Sequence, residues 1–459
     1  MSRAIDFIFQ FQLIAIIAGL LFFIFYSFFE KEKKAAQKAL IPFLIIISVF
    51  VFHYFYDIPL LFQVISSGLL TIIFVLLIIP FGNNEVKFEI PENKFDERDI
   101  MFSRMELKEN TEKFNQYYKM NPENKEKDDK FRKEPGLLSQ KSKLYNPFLF
   151  NAAAASFSTV DLLQPLVETK NHLKNTNDLH ASEITDFIKH WALKLGAADI
   201  GFTILKPHHL YSYIGRGKDY GKELQLNHKY AIAFTVEMSH DSMQHAPQGT
   251  IITESSQQYL NAGTIAVQIA EFIRNTGFDA RAHIDANYRV ICPAVAMDAG
   301  LGTIGRMGLL MTPKQGPRVR IGVVTTNLEV PINKRPIDSS MIHFCEICKK
   351  CAVNCPSGSI SFDTSKNEKK YKRWLIDHES CFTYWTKVGT DCGRCIAVCP
   401  YAHNNNLLHN LVRHFLKINP FNRWIALKLD NFFYNIKPPL VPLKNWMKPN
   451  SGERIKEFM

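Results

Sequence analysis

A chain of 459 residues that is 46% hydrophobic, 12% aromatic and 22% charged is long enough for two or three domains. Its aromatic content, and the lack of a heptad or Gly-X-Y repeat, exclude disordered, coiled-coil and collagen-like chains. The formal net charge of +11 would suit a nucleic-acid partner, but the sequence contains no basic recognition module, so we expect none.

Apolar residues are concentrated near the N-terminus in three stretches. Residues 7–29 and 58–82 carry no charged side chain, and each is long enough to cross the hydrocarbon core of a bilayer. Residues 39–56 form a third, shorter stretch. A signal peptide explains the first stretch poorly, because the apolar run is too long and no small-residue cleavage site follows it. We therefore predict a three-span membrane anchor over residues 1–82.

The loop between the first two spans predicts the orientation of the anchor. Residues 30–38 contain four lysines, and loops rich in lysine stay in the cytoplasm. After three spans the rest of the chain lies on the same side. The prediction is a multi-pass protein of the cell inner membrane whose remaining domains face the cytoplasm.

Beyond the anchor, the pattern changes to that of a soluble protein. Residues 83–145 carry charges of both signs and few apolar runs, which predicts a linker with short helices. Residues 146–340 are assigned to one domain, because predicted strands alternate with predicted helices and so indicate an α/β layer. The helices are expected near 146–174, 181–196 and 256–275, and the strands near 198–205, 230–236 and 319–325.

Eight of the nine cysteines form two runs with ferredoxin spacing. The runs are Cys345-x2-Cys348-x2-Cys351-x3-Cys355-Pro356 and Cys381-x10-Cys392-x2-Cys395-x3-Cys399-Pro400. In bacterial ferredoxins with this pattern, the last cysteine of each run binds the cluster of the other run. Zinc sites lack the Cys-x3-Cys-Pro ending, and disulfides are not expected on the cytoplasmic side.

We therefore predict two [4Fe–4S] clusters in a ferredoxin module at residues 341–405. Cluster one is assigned to Cys345, Cys348, Cys351 and Cys399, and cluster two to Cys355, Cys381, Cys392 and Cys395. Cys381 departs from the usual spacing, because ten residues separate it from Cys392. The ninth cysteine, Cys292, is expected to be a buried thiol.

Two further segments leave alternatives open. Residues 406–459 carry nine basic and three acidic side chains, which fits a tail packed on the main domain or one touching anionic lipid headgroups. Residues 300–305 fit the G-x-G-x-x-G pattern, but Pro313 follows closely and no acid stands near residue 320. We expect these glycines to let the backbone approach a ligand other than a dinucleotide.

Several segments resemble the catalytic subunit of reductive dehalogenases. They are FDERDIMFSRMEL (95–107), HWALKLGAADIGFTILKP (190–207), HKYAIAFTVEM (228–238), AMDAGLGTIGRMGLLMTPKQGPRVRIG (296–322) and the two cysteine runs. The resemblance extends from Phe95 to the C-terminus. It implies a nitroreductase-like α/β domain that binds cobalamin, joined to a two-cluster ferredoxin module. The predicted fold class is thus a mixture of α+β and α/β behind a three-helix anchor.

The first 85 residues resemble the small three-span anchor protein that usually accompanies this subunit. The first loop of that protein carries a Glu-x-Glu motif, and Glu30-Lys31-Glu32 stands at the same place here. The chain is interpreted as an anchor and a catalytic subunit fused into one polypeptide.

The resemblance also implies a reaction, the reductive removal of halide from an organohalide. Electrons pass through the clusters to cobalamin, and a protein group beside a cation supplies a proton. Arg306 matches the position of the basic residue. A tyrosine is expected just after Glu237-Met238, but His240 stands there, and imidazole can also donate a proton. Tyr259 and Asn261 are further candidates for the wall of the pocket.

The corrinoid is expected against the loop at 300–308 and the turn at 315–318, because both resemble family segments near the cofactor. The candidate contact residues are Gly300, Gly302, Gly305, Gly308, Gln315, Gly316 and Arg318. The electron donor is not identified by the sequence; a quinol or a reduced ferredoxin or flavodoxin would serve.

Two other interpretations are kept. One is a related corrinoid reductase that acts on a non-halogenated substrate and resembles epoxyqueuosine reductase, an option that the His240 departure keeps open. The other is a membrane iron–sulfur electron carrier without catalysis, which would contain both clusters and no corrinoid.

Overall fold

The computed structural model describes residues 2–56, 58–82, 93–169, 180–332, 338–363, 366–368 and 371–449. The α-helices are α1 (Ser2–Phe29), α2 (Lys33–Tyr56), α3 (Leu60–Ile78), α4 (Met101–Met105), α5 (Glu112–Met120), α6 (Pro122–Arg132), α7 (Pro147–Leu162), α8 (Ala181–Lys194), α9 (His240–Gln244), α10 (Thr250–Asn275), α11 (Cys292–Asp298), α12 (Ser339–Cys348), α13 (Lys350–Val353), α14 (His378–Val388), α15 (Arg394–Ala397), α16 (Leu407–Ile418) and α17 (Pro420–Tyr434). The strands are β1 (Asp199–Ile204), β2 (Tyr230–Glu237), β3 (Ala280–His283), β4 (Thr303–Ile304), β5 (Leu310–Met311), β6 (Val319–Thr326), β7 (Lys366–Glu368) and β8 (Tyr371–Arg373).

The chain divides into two compact units. The first comprises Met1–Val86, Ser339–Cys348 and Asn404–Pro438, and the second comprises Lys87–Asp338, Lys349–His403 and Pro439–Met459. Helix α12 and most of the C-terminal tail therefore group with the N-terminal helices, an association that the linear order of the chain does not suggest.

Three helices of the first unit are long and apolar enough to cross a membrane: α1, α2 and α3. They correspond to the three predicted stretches. Helix α2 starts at Lys33, inside the predicted loop. Lysine is a good helix former, so the helix extends from the apolar segment towards the N-terminus. Helix α1 packs against both others.

Polar side chains join the three apolar helices to one another. His53 Nε2 lies 2.6 Å from Asp6 Oδ1, and Gln12 Nε2 donates to Thr71 Oγ1 over 3.1 Å. In a low-dielectric surrounding such pairs favour association of the helices, because each polar group otherwise loses its partner.

Helices α12, α16 and α17 complete the first unit. The Asn419 amide donates to the carbonyls of Leu76 (2.8 Å) and Ile79 (2.9 Å), and the Asn422 amide donates to Leu77 O (3.0 Å). These carbonyls lie at the C-terminal end of α3, where a helix leaves its last acceptors unpaired. The start of α17 therefore caps the third apolar helix.

The second unit is built on a four-stranded sheet of order β1-β2-β6-β3, in which every neighbouring pair is antiparallel. The three predicted strands are β1, β2 and β6. The fourth, β3, has the sequence ARAH and does not follow from the sequence pattern, because two of its four residues are polar although all four are buried. Antiparallel pairing makes this layer α+β, which corrects the expectation of an α/β layer.

Both faces of the sheet are covered, which explains the apolar runs of its central strand. Ile232 and Phe234 of β2 pack on the side of the long helix α10, and Ala231 and Ala233 pack on the side of α11. A Cβ at Gly322 would lie 2.2 Å from the Phe234 ring, so only glycine fits opposite this side chain. Helix α10 starts at Thr250, six residues before its predicted start.

The segment predicted to be a charged linker is folded. Helices α5 and α6 bury the aromatic residues Phe114, Tyr117 and Tyr118. The buried Asp128 of α6 accepts hydrogen bonds from Arg104 Nε (2.9 Å) and Tyr118 Oη (2.6 Å). Some of the charged side chains that predicted a solvated linker therefore form buried ion pairs instead. Residues 83–92 and the predicted helical residues 170–174 lie outside the described residues.

Candidate iron–sulfur and active site

Four cysteines of the second unit line one cavity of about 220 Å³: Cys355, Cys381, Cys392 and Cys395. They are the four that the spacing assigned to cluster two, and they include Cys381. Their neighbours in the cavity wall are mainly apolar, with Ile360, Ile376, Phe382 and Trp385 among them.

The thiols of this cavity are held where an isolated thiolate is unfavourable. Burial, together with the smaller effect of the nearby Cys355, raises the pKa of Cys381 to about 12. Burial likewise raises the pKa of Cys392 to about 12. The cationic iron of a cluster compensates for this penalty, because metal binding deprotonates a coordinating thiol. The donor set therefore fits an iron–sulfur cluster.

Helix α14 carries Cys381 and is fixed from two sides. Asp377 caps its N-terminus by accepting the Ser380 N–H at 2.9 Å. Glu379, two residues before Cys381, accepts a 2.9 Å bond from Arg104 Nη1. Arg104 also pairs with Asp128, so the segment that contains the FDERD sequence supports the position of Cys381. This support explains how a cysteine at unusual spacing reaches the cavity.

The other four predicted ligands are divided between the two compact units. Cys345 and Cys348 lie on α12 in the first unit, where α12 packs against α16 and α17. Cys351 lies on α13 and Cys399 precedes Pro400, both in the second unit. This ligand set, assigned to cluster one, stays a prediction from the spacing.

A second group of polar side chains surrounds Tyr259 of α10. The Arg320 guanidinium of β6 lies 4.9 Å from the centre of the Tyr259 ring. Arg320 Nη2 donates to Ser255 Oγ (2.6 Å) and Asp391 Oδ2 (3.3 Å). Its Nε is buried and has no hydrogen-bond partner within the described part of the chain. A buried donor without an acceptor needs a partner such as an ordered water or a ligand.

The Tyr259 phenol lies beside a cation, and its raised pKa keeps it neutral at pH 7. Burial raises its pKa to about 12, and Arg320 works against this increase because a cation favours the phenolate. Asp285 and Arg216 act on the same phenol from further away. Asp285 sits in a tight turn whose next residue, Ala286, has a φ of +61°, a backbone conformation that L-residues rarely adopt.

The other predicted catalytic residues are placed differently. His240 begins α9, where its Nε2 lies 3.0 Å from Gln244 Nε2 and its ring centre lies 6.4 Å from that of His403. Asn261 bonds with Gln258 and Gln257 of its own helix. No described contact joins either residue to Tyr259.

Arg306 is 1% exposed and its described contacts belong to the ferredoxin module. Its Nη1 donates to the carbonyls of Ser361 (2.8 Å) and Asp363 (2.6 Å), and its guanidinium lies 5.3 Å from the Trp374 ring centre. The structure thus pairs Tyr259 with Arg320 rather than with Arg306. The sequence carries one signal for Arg320, which is a charged residue inside an otherwise apolar strand.

The glycines of the predicted corrinoid loop are required by the protein itself. A Cβ on Gly302 would lie 2.2 Å from Met311 O, and one on Gly316 would lie 2.4 Å from Tyr401 O. Gly308 has a φ of +73° and packs against Ile376. These close approaches are between protein atoms and by themselves require glycine at Gly302 and Gly316. The contact of this loop with a corrinoid stays a prediction. Gly308 also lines the cysteine cavity.

Arg318 and Gln315 likewise make protein contacts. Arg318 is buried, and it donates to Ala402 O (2.6 Å) and Glu237 Oε1 (3.0 Å). Gln315 Oε1 accepts from Thr312 Oγ1 at 3.3 Å. Arg318 therefore ties the end of the sheet to the segment that follows Cys399.

A cluster of two histidines and a carboxylate stands just before the glycine loop. His208 Nε2 and His209 Nε2 lie 3.4 Å and 3.1 Å from Asp298 Oδ2, and Lys206 Nζ lies 2.6 Å from it. His209 Nδ1 accepts the Lys206 backbone N–H, so its Nε2 carries the proton and has no lone pair for a metal. The cluster is therefore an ion-pair network that anchors Asp298.

Similarity to known proteins first identifies the ferredoxin-type part of the chain. Residues 344–403 match the family model described as a 4Fe-4S dicluster domain, so this part of the chain is a ferredoxin-type iron–sulfur module. The chain is also similar to tetrachloroethene reductive dehalogenase of Desulfitobacterium hafniense, with 33% identity over 226 residues, which are 47% of this chain and 40% of that protein. The enzyme of the same name from Sulfurospirillum multivorans is 32% identical over 203 residues, 43% of this chain and 40% of that protein.

A solved structure shows the same fold over most of the chain. It is the catabolic reductive dehalogenase NpRdhA in complex with 3-bromo-4-hydroxybenzoic acid, with a TM-score of 0.63, 23% identity, and coverage of 83% of this chain and 55% of that chain. The resemblance to reductive dehalogenases that the motifs predicted is confirmed. This chain spans about two fifths of the length of the two curated relatives.

The cavity predicts the effect of removing its least regularly spaced cysteine. Cys381→Ser should lower the iron content of the purified protein from about eight to about four atoms per chain, because one cluster loses a ligand. Iron and acid-labile sulfide analysis measures this change. Cys292→Ala is the matched control and should keep full iron, since Cys292 stands outside both cysteine runs. Full iron in Cys381→Ser would contradict the assignment.

Asp298 predicts a pH-dependent contribution to stability. Burial alone would raise its pKa, but the bonds from His208, His209 and Lys206 outweigh burial and hold the pKa well below its usual value. The stabilisation is therefore fully present above the pKa of an unperturbed aspartate, about 4, and is lost as the pH falls below that value.

Asp298→Asn should cost about 2 kcal/mol of unfolding free energy at neutral pH, because it removes charge-assisted hydrogen bonds. Thermal unfolding in detergent, followed by circular dichroism, measures the difference from wild type, which should shrink once the pH falls below about 4. Asp161→Asn, at an exposed side chain, should unfold like wild type throughout. A difference that stays constant into the acid range would show that the carboxylate charge is not responsible.

Proposed function

We propose that this protein is a membrane-anchored reductive dehalogenase that replaces the halogen of an organohalide by hydrogen. The observation that carries the proposal is the Tyr259 phenol held beside the Arg320 guanidinium, in a chain that also carries a ferredoxin-type module. The net reaction takes the organohalide, two electrons and one proton to the hydrocarbon and halide. A proton donor and a route for electrons are therefore the two functions that the protein must supply.

The route for electrons is proposed to consist of two [4Fe–4S] clusters in residues 341–405. Cys355, Cys381, Cys392 and Cys395 hold cluster two, and the cavity that they line supports this assignment. Cluster one is proposed on the remaining four cysteines from their spacing. Met307, Gly308 and Leu309 line the same cavity as the cluster-two cysteines, so the loop assigned to the corrinoid approaches cluster two.

Cobalamin is the proposed second cofactor, held by residues 146–340 in a nitroreductase-like domain. When bound, it supplies the reducing metal centre at which the carbon–halogen bond is broken. The buried, unpaired Nε of Arg320 and the buried, unpaired hydroxyl of Thr303 support the presence of a ligand in this domain. Backbone groups of the loop at 300–308 and the turn at 315–318 are the proposed contacts.

Tyr259 is the proposed proton donor and Arg320 its positioning cation. The phenol keeps its proton at neutral pH, because burial raises its pKa to about 12. As the proton leaves for the substrate carbon, negative charge develops on the phenol oxygen, and the guanidinium beside the ring stabilises that charge. Asn261, two residues along the same helix, and His240 are proposed to lie outside this pair. Arg306 is proposed to hold the ferredoxin module.

The location is proposed to be the cell inner membrane, with residues 83–459 on its cytoplasmic side, as the lysines of the first loop indicate. Helix α12 carries Cys345 and Cys348 and packs against α16 and α17 of the anchor unit. Of the candidate electron donors, this arrangement favours a quinol in the membrane over a soluble ferredoxin or flavodoxin.

Two substitutions separate Tyr259 from His240 as proton donor. Tyr259→Phe should lower the dehalogenation rate of the corrinoid-loaded enzyme about 10²-fold or more, because general-acid catalysis contributes that much. His240→Phe should leave the rate unchanged. The measurement is halide release from a panel of chlorinated alkenes and halogenated phenols, with reduced viologen as the electron source.

Metal analysis of the same preparations makes the outcome decisive. Wild type and both variants should hold about eight iron and one cobalt per chain. Iron without cobalt after reconstitution with cobalamin would contradict the function itself. Full activity in Tyr259→Phe, with normal metal content, would contradict only the assignment of the proton donor.

A further inference from the structure

Helix α16 exposes a row of apolar side chains and buries two polar ones, although His414 and Lys417 are also exposed and Leu416 is buried. Leu407, Leu411 and Phe415, spaced four residues apart on one face, are 55%, 43% and 44% exposed. His409 and Arg413, on the opposite face, are buried. A surface helix of a water-soluble protein has the reverse arrangement, with its apolar stripe against the core.

Helix α17 repeats this pattern in part, because its apolar Leu427 and Phe433 stay buried. Trp424, Leu429 and Phe432 are exposed, whereas Asn422 and Arg423 are buried. Two of the buried donors are paired, since Arg423 Nη1 donates to Leu416 O (3.0 Å) and Asn422 Nδ2 donates to Phe415 O (2.9 Å). The buried polar side chains of α17 therefore take part in its packing against α16.

The two helices are fixed to the ends of the apolar spans. Asn419, at the start of α17, donates to the last carbonyls of α3. At the other end, Lys38 at the start of α2 donates to Asn435 Oδ1 at 2.8 Å. Beside it, Phe433 packs with Ile24 of α1 and with Ala35 and Ala39 of α2.

Helix α17 thus reaches from the end of α3 to the turn between α1 and α2. These are the ends at which the spans leave the hydrocarbon core. A helix at this level has headgroups and the upper parts of acyl chains as its surroundings. Outward leucine, phenylalanine and tryptophan side chains are suited to that layer, in which tryptophan is enriched.

We propose that the outward face of α16 and α17 is a lipid-binding surface, embedded in the interface of the bilayer that α1, α2 and α3 cross. The occupant is phospholipid, with acyl chains against Leu411 and Phe415. Lys428, whose Nζ lies 5.8 Å from the Trp424 ring centre, is positioned at the level of the phosphate groups. The surface continues the apolar exterior of the spans to which the helices are bound, which is why lipid is chosen over a protein partner.

Photocrosslinking of the full chain tests the proposal. The protein is placed in nanodiscs of phosphatidylcholine and phosphatidylglycerol with p-benzoylphenylalanine at position 411 or 415. Both variants should give phospholipid adducts on irradiation, identified by mass spectrometry. The same group at position 410, an exposed asparagine of α16 outside the row of Leu407, Leu411 and Phe415, is the matched control and should give several-fold less. Equal lipid adducts at 410 and 411, or adducts to a second copy of the chain, would overturn the proposal.

A second experiment uses a conservative tryptophan substitution, so that its result does not depend on the bulky p-benzoylphenylalanine side chain. Brominated acyl chains quench tryptophan fluorescence at short range, and the chain contains five tryptophans. Trp424→Phe should remove part of the quenching seen for wild type, whereas Trp191→Phe on α8 should leave the quenched part unchanged. If Trp424→Phe leaves lipid quenching unchanged and instead removes quenching by aqueous iodide, Trp424 faces water and the lipid-binding surface is disproved.

Discussion

Four cysteine thiols gathered around one buried cavity impose the strictest physical requirement in this molecule. Burial and mutual repulsion raise the pKa values of Cys381 and Cys392 far above neutrality, so the group is stable as a ligand set only with a cationic metal core. Much of the second unit serves to hold these cysteines in place. The capped helix α14 and the loop through Gly308 line this cavity, and the Arg104–Glu379 ion pair fixes α14.

Buried arginines hold distant segments of the second unit together, and one of them keeps an unpaired nitrogen. Arg104, Arg306 and Arg318 direct their guanidinium groups at carboxylates or backbone carbonyls, and so they join segments that are far apart in the chain. Arg320 differs, because one of its buried nitrogens has no acceptor within the described residues and its face lies on a tyrosine ring. Arg320 thus places a guanidinium with one unpaired nitrogen beside a neutral phenol, and the proposed proton transfer rests on this pair.

In the first unit, as in the second, buried polar groups are paired with groups from distant parts of the chain. The last carbonyls of α3 would be unpaired at the edge of the hydrocarbon, and asparagine amides of α17 satisfy them. Within α16 and α17, several polar side chains are buried and several large apolar ones are exposed, which is the arrangement proposed above for a helix pair whose outer surroundings are lipid. The basic charge of the tail, which by itself suggests contact with headgroups, matters less than this reversal of polarity.

Local patterns in the amino-acid sequence determine much of this protein. The three apolar helices, the strands β1, β2 and β6, and the two cysteine runs can all be predicted, because length, alternation and ligand spacing are properties of short segments. Even the grouping of Cys381 with Cys355, Cys392 and Cys395 follows from spacing, since no other cysteine stands nearby in the chain.

Only the tertiary structure decided which distant residues meet. Arg320 reaches Tyr259 because β6 and α10 pack face to face, whereas Arg306, chosen from its place in a familiar segment, binds the ferredoxin module. The glycines of the loop at 300–308 are required by protein atoms that lie beyond it in the chain. Strand β3 and the buried Arg104–Asp128 pair could not be predicted from the sequence, for the same reason. A charged side chain is expected to be exposed, and its burial requires a partner from a distant part of the chain.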